Sequence, residues 1–346
     1  MTLALDATYS LGENLSGVGV YSRRILFGLA RAHPAARFLF AYRPHRFFRS
    51  LRDTLPANCS RRLLLDARAP RAELFHGLNQ RLPRACPRRT VATFHDLFVL
   101  TGDYSTPEFR RRFAGQARDA ANRSDLVIAV SEFTAGQVRD LLGVSASRVR
   151  VIPHGASARG AHPNQEPPAR EKLILHVGAI QRRKNLVRLI EAFERTEPGW
   201  RLALAGSSGY GSEEILHRIE GSPRKQDIRI LGYVSRTQLD DLYARASVFA
   251  FPSLDEGFGM PILDAMAAGV PVLTSNRSAT AEVSGDAALL VAPEDTGSIA
   301  NALHRLTTEE TLREEYIGRG RRRATQFTWE KAEEATWEAY EELLRC

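Results

Sequence analysis

Short apolar runs of strand length alternate with helical patterns along nearly the whole chain, and that alternation leaves few folds open. Residues 2–8 (TLALDAT) precede SGVGVYSRRILFGLARAHP, in which Tyr21, Ile25, Leu26 and Leu29 recur at helical spacing. RFLFAYR, AELFHG, TVATFHD and DLVIAVS are further strand candidates, with helical patterns such as 107–122 and 132–142 between them. Strand then helix, repeated, specifies an open parallel sheet covered on both faces.

The rhythm breaks at 156–171, ASARGAHPNQEPPARE, where proline, glycine, alanine and charge crowd together without periodicity. It restarts with LILHVGA, RLALAGS, IRILGYV, VFAFPS, VPVLTSN and AALLVAP, and helices are expected at 185–195, 212–220, 236–245 and 261–268. The expected fold class is α/β, with two Rossmann-like domains spanning 1–160 and 161–327. The final segment, 328–346, reads as a helix with Thr328 as its N-cap and glutamates in its first turns.

At 346 residues and 43% hydrophobic, the chain has material for two cores. No apolar run reaches the roughly 18 residues of a membrane span, and MTLALDATYS lacks the basic flank and apolar stretch of an export signal. Cys59, Cys86 and Cys346 form no CxxC pair, which argues against a zinc site or disulfide framework and suits a reducing cytoplasm. The net charge is +8, and only Lys172, Lys184, Lys225 and Lys331 among the basic residues are lysines. Two readings stand: an arginine-rich genome, or attraction to phosphate-bearing substrates, an acidic membrane or nucleic acid.

The most informative stretch is FPSLDEGFGMPILDAMAAGVPVLTSN (251–276), which sets Glu256 and Asp264 on either side of a Gly-Phe-Gly turn. SVFAFPS reads as a buried strand and DEGFG as the turn at its C-terminal end. Pro261 suits a first helical turn, and Gly269 is a natural C-terminal stop. Ligands of open α/β sheets bind outside strand C-termini, where a helix N-terminus offers N–H groups to an anion. Two acceptors beside such groups suit a ligand that is polyhydroxylated and phosphorylated, such as a sugar nucleotide. Acids that merely cap a helix would explain a lone pair of carboxylates, but not the whole stretch.

EGFGMPILDAMAAGVPV (256–272) resembles the hallmark EGFGxPxxEAMAxGxPV of the retaining group-1 (family 4) glycosyltransferases of the GT-B class, with Asp264 where Glu is common. The resemblance is strong over 172–292 and moderate over 16–155. It implies two Rossmann-like domains facing a central cleft, with the last helix crossing back to the first domain. It also implies that Glu256 and the backbone of Gly257, Phe258 and Gly259, continuing to Met260, hold the transferred sugar and a phosphate. Asp264 would grip the ribose diol. LHVGAIQRRKNLVRLIEAF (175–193) is similar to the family's VGxxxxRKN segment, so Arg183 and Lys184 would hold the diphosphate as catalytic cations. Positive charge at a helix start otherwise opposes the dipole.

By the same resemblance, Gly17 and Gly19, read as a tight turn ahead of the first helix, would close over phosphates and acceptor. His95 of the HD element would approach the donor sugar with Asp96 beside it, and Tyr233 and Val234 would hold the base through backbone groups. HGLN (76–79) and VSEFT (130–134) also look like family segments. No Asp-x-Asp motif stands at a strand end, so no metal and no cofactor are expected; the nucleotide-diphosphate sugar is a substrate.

The expected activity is retaining transfer of a hexose to a glycan or lipid-linked acceptor in surface polysaccharide biosynthesis. AGSSGYG and GAIQRRKN look like bacterial mannosyltransferases, which puts GDP-mannose ahead of UDP-glucose and UDP-GlcNAc. Same-face attack is favoured over a covalent adduct because no nucleophile is evident. AYRPHRFFRSLR (41–52), with FRRRF (109–113), could equally rest on an anionic bilayer or be a solvated face with core aromatics. Cytoplasmic placement, peripheral at the inner membrane face, goes with the first reading. The alternatives are a sugar-nucleotide epimerase of the same architecture, a basic binding protein without specific nucleic-acid recognition, and a silent subunit of a biosynthetic complex. Oligomeric state, acceptor and linkage are left open.

Overall fold

The computed structural model describes residues 1–156 and 169–345, so most of the segment read as a linker, 157–168, lies outside the described residues. Two units form, each around its own all-parallel sheet. The first takes Met1–Thr101, Pro107–Gly155 and the chain from Thr328 on; the second takes Gly102–Thr106 and Ala156–Phe327.

The first sheet contains β1 (Thr2–Asp6), β2 (Arg37–Tyr42), β3 (Cys59–Leu63), β4 (Leu74–Gly77), β5 (Arg89–Phe94), β6 (Leu126–Ala129) and β7 (Val149–Val151), in the order β3-β2-β1-β4-β5-β6-β7. The second contains β8 (Glu171–Val177), β9 (Arg201–Ala205), β10 (Ile228–Gly232), β11 (Ala246–Phe251), β12 (Val272–Ser275) and β13 (Ala288–Val291), in the order β10-β9-β8-β11-β12-β13. Each sheet runs outward in one direction from its first strand and then reverses, which makes both units Rossmann-like. Because helices cover both faces, central strands are apolar throughout: Leu126–Ala129 is buried at every position. Each large aliphatic or aromatic side chain so buried contributes roughly 1.5–3 kcal/mol. β3, a sheet edge, instead reads CSRRL and keeps its last two residues exposed.

The helices expected at 132–142, 212–220 and 236–245 form with those bounds. Ser131 accepts from the Thr134 N–H, and Ser235 and Gln238 make a reciprocal capping box. The helix read at 185–195 is shorter, Leu186–Phe193. The last helix, Trp329–Arg345, starts where Thr328 Oγ1 accepts from the Lys331 N–H at 3.2 Å. It belongs to the first unit and packs on the helix Gly17–Ala32. Trp337 stacks on His33 at a centroid distance of 3.5 Å, and Glu342 pairs with Arg150. The Tyr340 hydroxyl meets His76 Nδ1 of β4 at 2.5 Å.

Candidate functional site

In the second unit, strand order reverses between β8 and β11, and the chain leaves both at their C-terminal ends. Open α/β sheets bind ligands at that point. Beyond β8, Arg182–Lys184 form one 3-10 turn, and Asn185 ends it in a left-handed conformation with φ 60°. The two cations therefore sit on a turn of their own, ahead of the helix Leu186–Phe193 rather than inside its first turn. Asn185 Nδ2 donates to the carbonyls of Pro252 (3.0 Å) and Pro293 (2.6 Å), and the Leu254 N–H donates to the Arg183 carbonyl at 2.8 Å. These bonds clamp the turn against the segment that follows β11.

Glu256 arrives from that segment. Its Oε2 lies 2.8 Å from Arg183 Nη1 and its Oε1 lies 2.5 Å from Lys184 Nζ, with all three side chains only 9% exposed. Arg183 Nη1 also donates to the Asp255 carbonyl at 2.5 Å. Burial alone would raise the Glu256 carboxyl, and Arg183 and Lys184 more than offset it, holding the group down to about 2. The Lys184 ammonium lies 4.6 Å from the centroid of the Phe251 ring. One carboxylate thus faces two cations, and the trio carries a net positive charge suited to an anion that draws the cations away.

Gly257 and Phe258 are buried, and Gly259 takes φ 100° as the N-cap of the helix Met260–Ala267. Pro261 stands in its first turn and Gly269, at φ 69°, follows its end. Asp264 is half-buried one turn into this helix, while Tyr233 and Val234 follow β10, with Tyr233 exposed. Beneath the trio the ends of β8 and β9 approach closely: a Cβ on Gly206 would lie 1.9 Å from the Gly178 carbonyl oxygen. The structure thus puts Arg183, Lys184 and Glu256 in contact, and sets Gly257–Met260, Asp264, Tyr233 and Val234 along the same sheet edge.

The first unit corrects one expectation. Gly17 and Gly19 are not in a turn ahead of the first helix but in its first turn, because Ser16 caps it and its Oγ accepts from the Gly19 N–H at 3.3 Å. A Cβ on Gly19 would meet the Tyr9 carbonyl oxygen at 2.9 Å, so close backbone approach demands glycine there. His95 and the half-buried Asp96 follow β5. A carbonyl can only accept, so His95 Nε2 carries the proton it donates to the Leu78 carbonyl at 2.9 Å. Its Nδ1 then accepts from His154 Nε2, 3.4 Å away. Burial lowers His95 to about 4 and His76 to about 3. His76 Nε2 meets Thr93 Oγ1 at 2.8 Å, and Thr93 meets the Tyr21 hydroxyl at 2.9 Å. Sequence reading picked out HGLN (76–79) without a role for His76 and passed over His154, His176 and Tyr340, since a lone histidine or tyrosine in an apolar run carries no signal.

Charge is divided unequally. The first unit holds 26 basic and 17 acidic residues, a net +9, against 22 and 23 in the second, a net −1. Among the described residues no helix is long and apolar enough to cross a membrane, and no three His, Cys, Asp or Glu side chains converge to hold a metal ion.

Comparison with known proteins adds the following. The family model "Glycosyltransferase Family 4" matches residues 9–158, and "Glycosyl transferases group 1" matches 159–323. The chain is 32% identical over 284 residues to the O-antigen chain mannosyltransferase B of Escherichia coli, covering 78% of this chain and 74% of that protein. Sucrose-phosphate synthase from Thermosynechococcus elongatus superposes with a TM-score of 0.77 at 21% identity, covering 100% and 99% of the two chains. The Anabaena protein HepE, solved with UDP-glucose, gives 0.73 at 18% identity and 99% coverage of both.

Proposed function

The chain belongs to the group-1, family 4 glycosyltransferases, and from that premise we propose that it moves a hexose, mannose first among candidates, from a nucleotide-diphosphate sugar to a glycan or lipid-linked acceptor with retention of configuration. Its two Rossmann-like units are the GT-B fold. The observation that carries the reading is the Arg183–Glu256–Lys184 trio at the reversal point of the second sheet. Mannose is favoured by the relation to an O-antigen mannosyltransferase, and the same relative supports a role in surface polysaccharide synthesis.

In the reaction the anomeric C–O bond to the diphosphate breaks and the acceptor oxygen bonds to the same face. The acceptor's proton passes to the departing phosphate oxygen. Negative charge grows on that phosphate, and two cations held in a buried site stabilise it. Arg183 and Lys184 supply those charges, while Glu256, released from them, accepts from sugar hydroxyls. The Gly257–Gly259 backbone and the start of the helix Met260–Ala267 offer N–H groups to a phosphate. Asp264 would take the ribose diol, and Tyr233 and Val234 the base; the role of His95 toward the transferred sugar rests on the family resemblance of its HD element. No metal or cofactor enters this scheme.

The acceptor side is the basic unit. Its helix Pro44–Ser50 and the residue after it leave Phe48 78% and Leu51 59% exposed, three positions apart, with Arg49 and Arg52 exposed beside them. Apolar tips among arginines favour an anionic bilayer at the cytoplasmic face, where a lipid-linked acceptor would reside. Thermal-shift screening with GDP-mannose, UDP-glucose and UDP-GlcNAc tests the donor assignment. A rise in melting temperature with one of them and release of its hexose to an acceptor is the expected result. No shift with any nucleotide sugar would overturn the reading.

A further inference from the structure

His176 ends the buried run of β8, directly before Val177 and Gly178, and its side chain is fully buried. Its Nδ1 lies 3.0 Å from the Ala250 carbonyl of β11; a carbonyl only accepts, so Nδ1 carries the proton and Nε2 is a bare lone pair. That Nε2 is buried and has no hydrogen-bond partner among the described residues. Such a group is destabilising unless something uses it. The ring lies 5.5 Å from Phe251, the ring over which the Lys184 ammonium rests. A Cβ placed on Gly178 would stand 3.4 Å from His176 Nε2 and 3.6 Å from Lys184 Nζ, so both atoms border one small space. A lysine ammonium on its four-carbon stem covers such a gap by side-chain torsion alone, and it has three protons to donate. Burial lowers His176 to about 4, which keeps the lone pair available at neutral pH.

We infer that His176 is a positioning residue for Lys184: its Nε2 accepts a hydrogen bond from the ammonium once Glu256 turns to the donor sugar. The inference rests on the donor-site reading given above. In the free protein Glu256 holds Lys184. When sugar hydroxyls claim that carboxylate, the ammonium needs a second anchor that is neutral, so that its charge remains available to the diphosphate. An imidazole lone pair meets that need, whereas another carboxylate would cancel the charge. Gly178 keeps the shared space clear, since a Cβ there would press on Lys184 Cε at 3.3 Å.

Two substitutions separate the anchor from the fold. His176→Asn retains a donor for the Ala250 carbonyl but has no acceptor at the far ring position; His176→Gln places an acceptor near that position and loses the Ala250 bond. The expected pattern is a near-normal melting temperature with kcat down about tenfold or more for His176→Asn, the scale of one hydrogen bond to a charged group. His176→Gln should show a lowered melting temperature with kcat largely kept. Wild-type kcat in His176→Asn overturns the inference. A ligand-free measurement distinguishes its failure from failure of the donor assignment. In protein with 15N-labelled histidine, Glu256→Gln should shift the His176 Nε2 signal toward its hydrogen-bonded position, and Glu256→Gln with Lys184→Met should return it. An unmoved signal in a folded Glu256→Gln protein overturns the inference even if no sugar nucleotide is ever turned over. If Glu256→Gln does not fold, the kinetic pair decides.

Discussion

Gly206 and Gly178 are pressed so closely at the ends of neighbouring strands that a Cβ on the first would lie 1.9 Å from the carbonyl oxygen of the second. That contact is backbone against backbone, and no rotamer can relieve it. Gly206→Ala must therefore push the β8 end, and with it the turn bearing Arg183 and Lys184, out of place. We expect a loss of about 1–3 kcal/mol, the cost of overpacking, with weaker nucleotide-sugar binding. The contrasting site is Gly115, exposed in the helix Pro107–Arg123 with nothing within 4 Å of an added Cβ. Gly115→Ala should stabilise by about 0.5–1 kcal/mol. Urea midpoints for the two variants moving the same way would refute the contrast.

Lys184→Ala should cut turnover by about a hundredfold or more, the scale of losing one charge-stabilising donor. Near-normal turnover in a steady-state assay would rule out its assigned role.

Acid should weaken the fold well above the pH at which carboxylates titrate. His95 and His176 sit near 4 and His76 near 3 in the folded chain, all lowered by burial from 6.5. Below pH 6.5 the unfolded chain takes up these protons and the folded chain does not, so stability is complete above 6.5 and falls toward pH 4. Each group adds to the decline across that window. Glu256, lowered from 4.5 to about 2, adds its own loss only between those values. Urea midpoints followed by tryptophan fluorescence from pH 7.5 to 5 should decline; a flat profile contradicts the buried-neutral assignment.

Tyr340→Phe removes the hydroxyl that meets His76 Nδ1 and leaves that nitrogen buried without its partner. A loss of about 1–3 kcal/mol is expected. Loss of Glu342 from the exposed Arg150 pair should cost at most about 1 kcal/mol. Equal melting temperatures for Tyr340→Phe and Glu342→Gln would argue against the ranking.

Phe48→Ser with Leu51→Ser should abolish flotation with vesicles containing phosphatidylglycerol while leaving turnover of a soluble acceptor unchanged. Flotation as strong as that of the parent chain would discard the bilayer contact.

Much of this architecture was legible because parallel sheets write themselves as apolar runs between amphipathic helices. Where that grammar lapses, sequence reading lapsed too. β3, with Arg61 and Arg62 on an edge strand, has no apolar signature, and β7 is three residues long. The helices Thr296–Thr308 and Glu310–Ala324 were not anticipated, nor was the short one at Ser278–Ser284. Gly17 and Gly19 read as a turn because glycine is a poor helix former, but Ser16 capping and the nearby Tyr9 carbonyl override propensity. At the site, Glu256, Arg183 and Lys184 could be named in advance because EGFGMPILDAMAAGVPV and GAIQRRKN resemble family segments. His176 could not, since its meaning lies in the partner it lacks. The His76–Tyr340 bond spans 264 positions, a separation no local pattern encodes.

That bond sets an order on synthesis. The first sheet is made early, yet the helix that closes it is made only after the whole second unit. Nascent chains stalled before residue 328 would hold β4 with His76 uncovered, so the unit begun first waits on the making of the second.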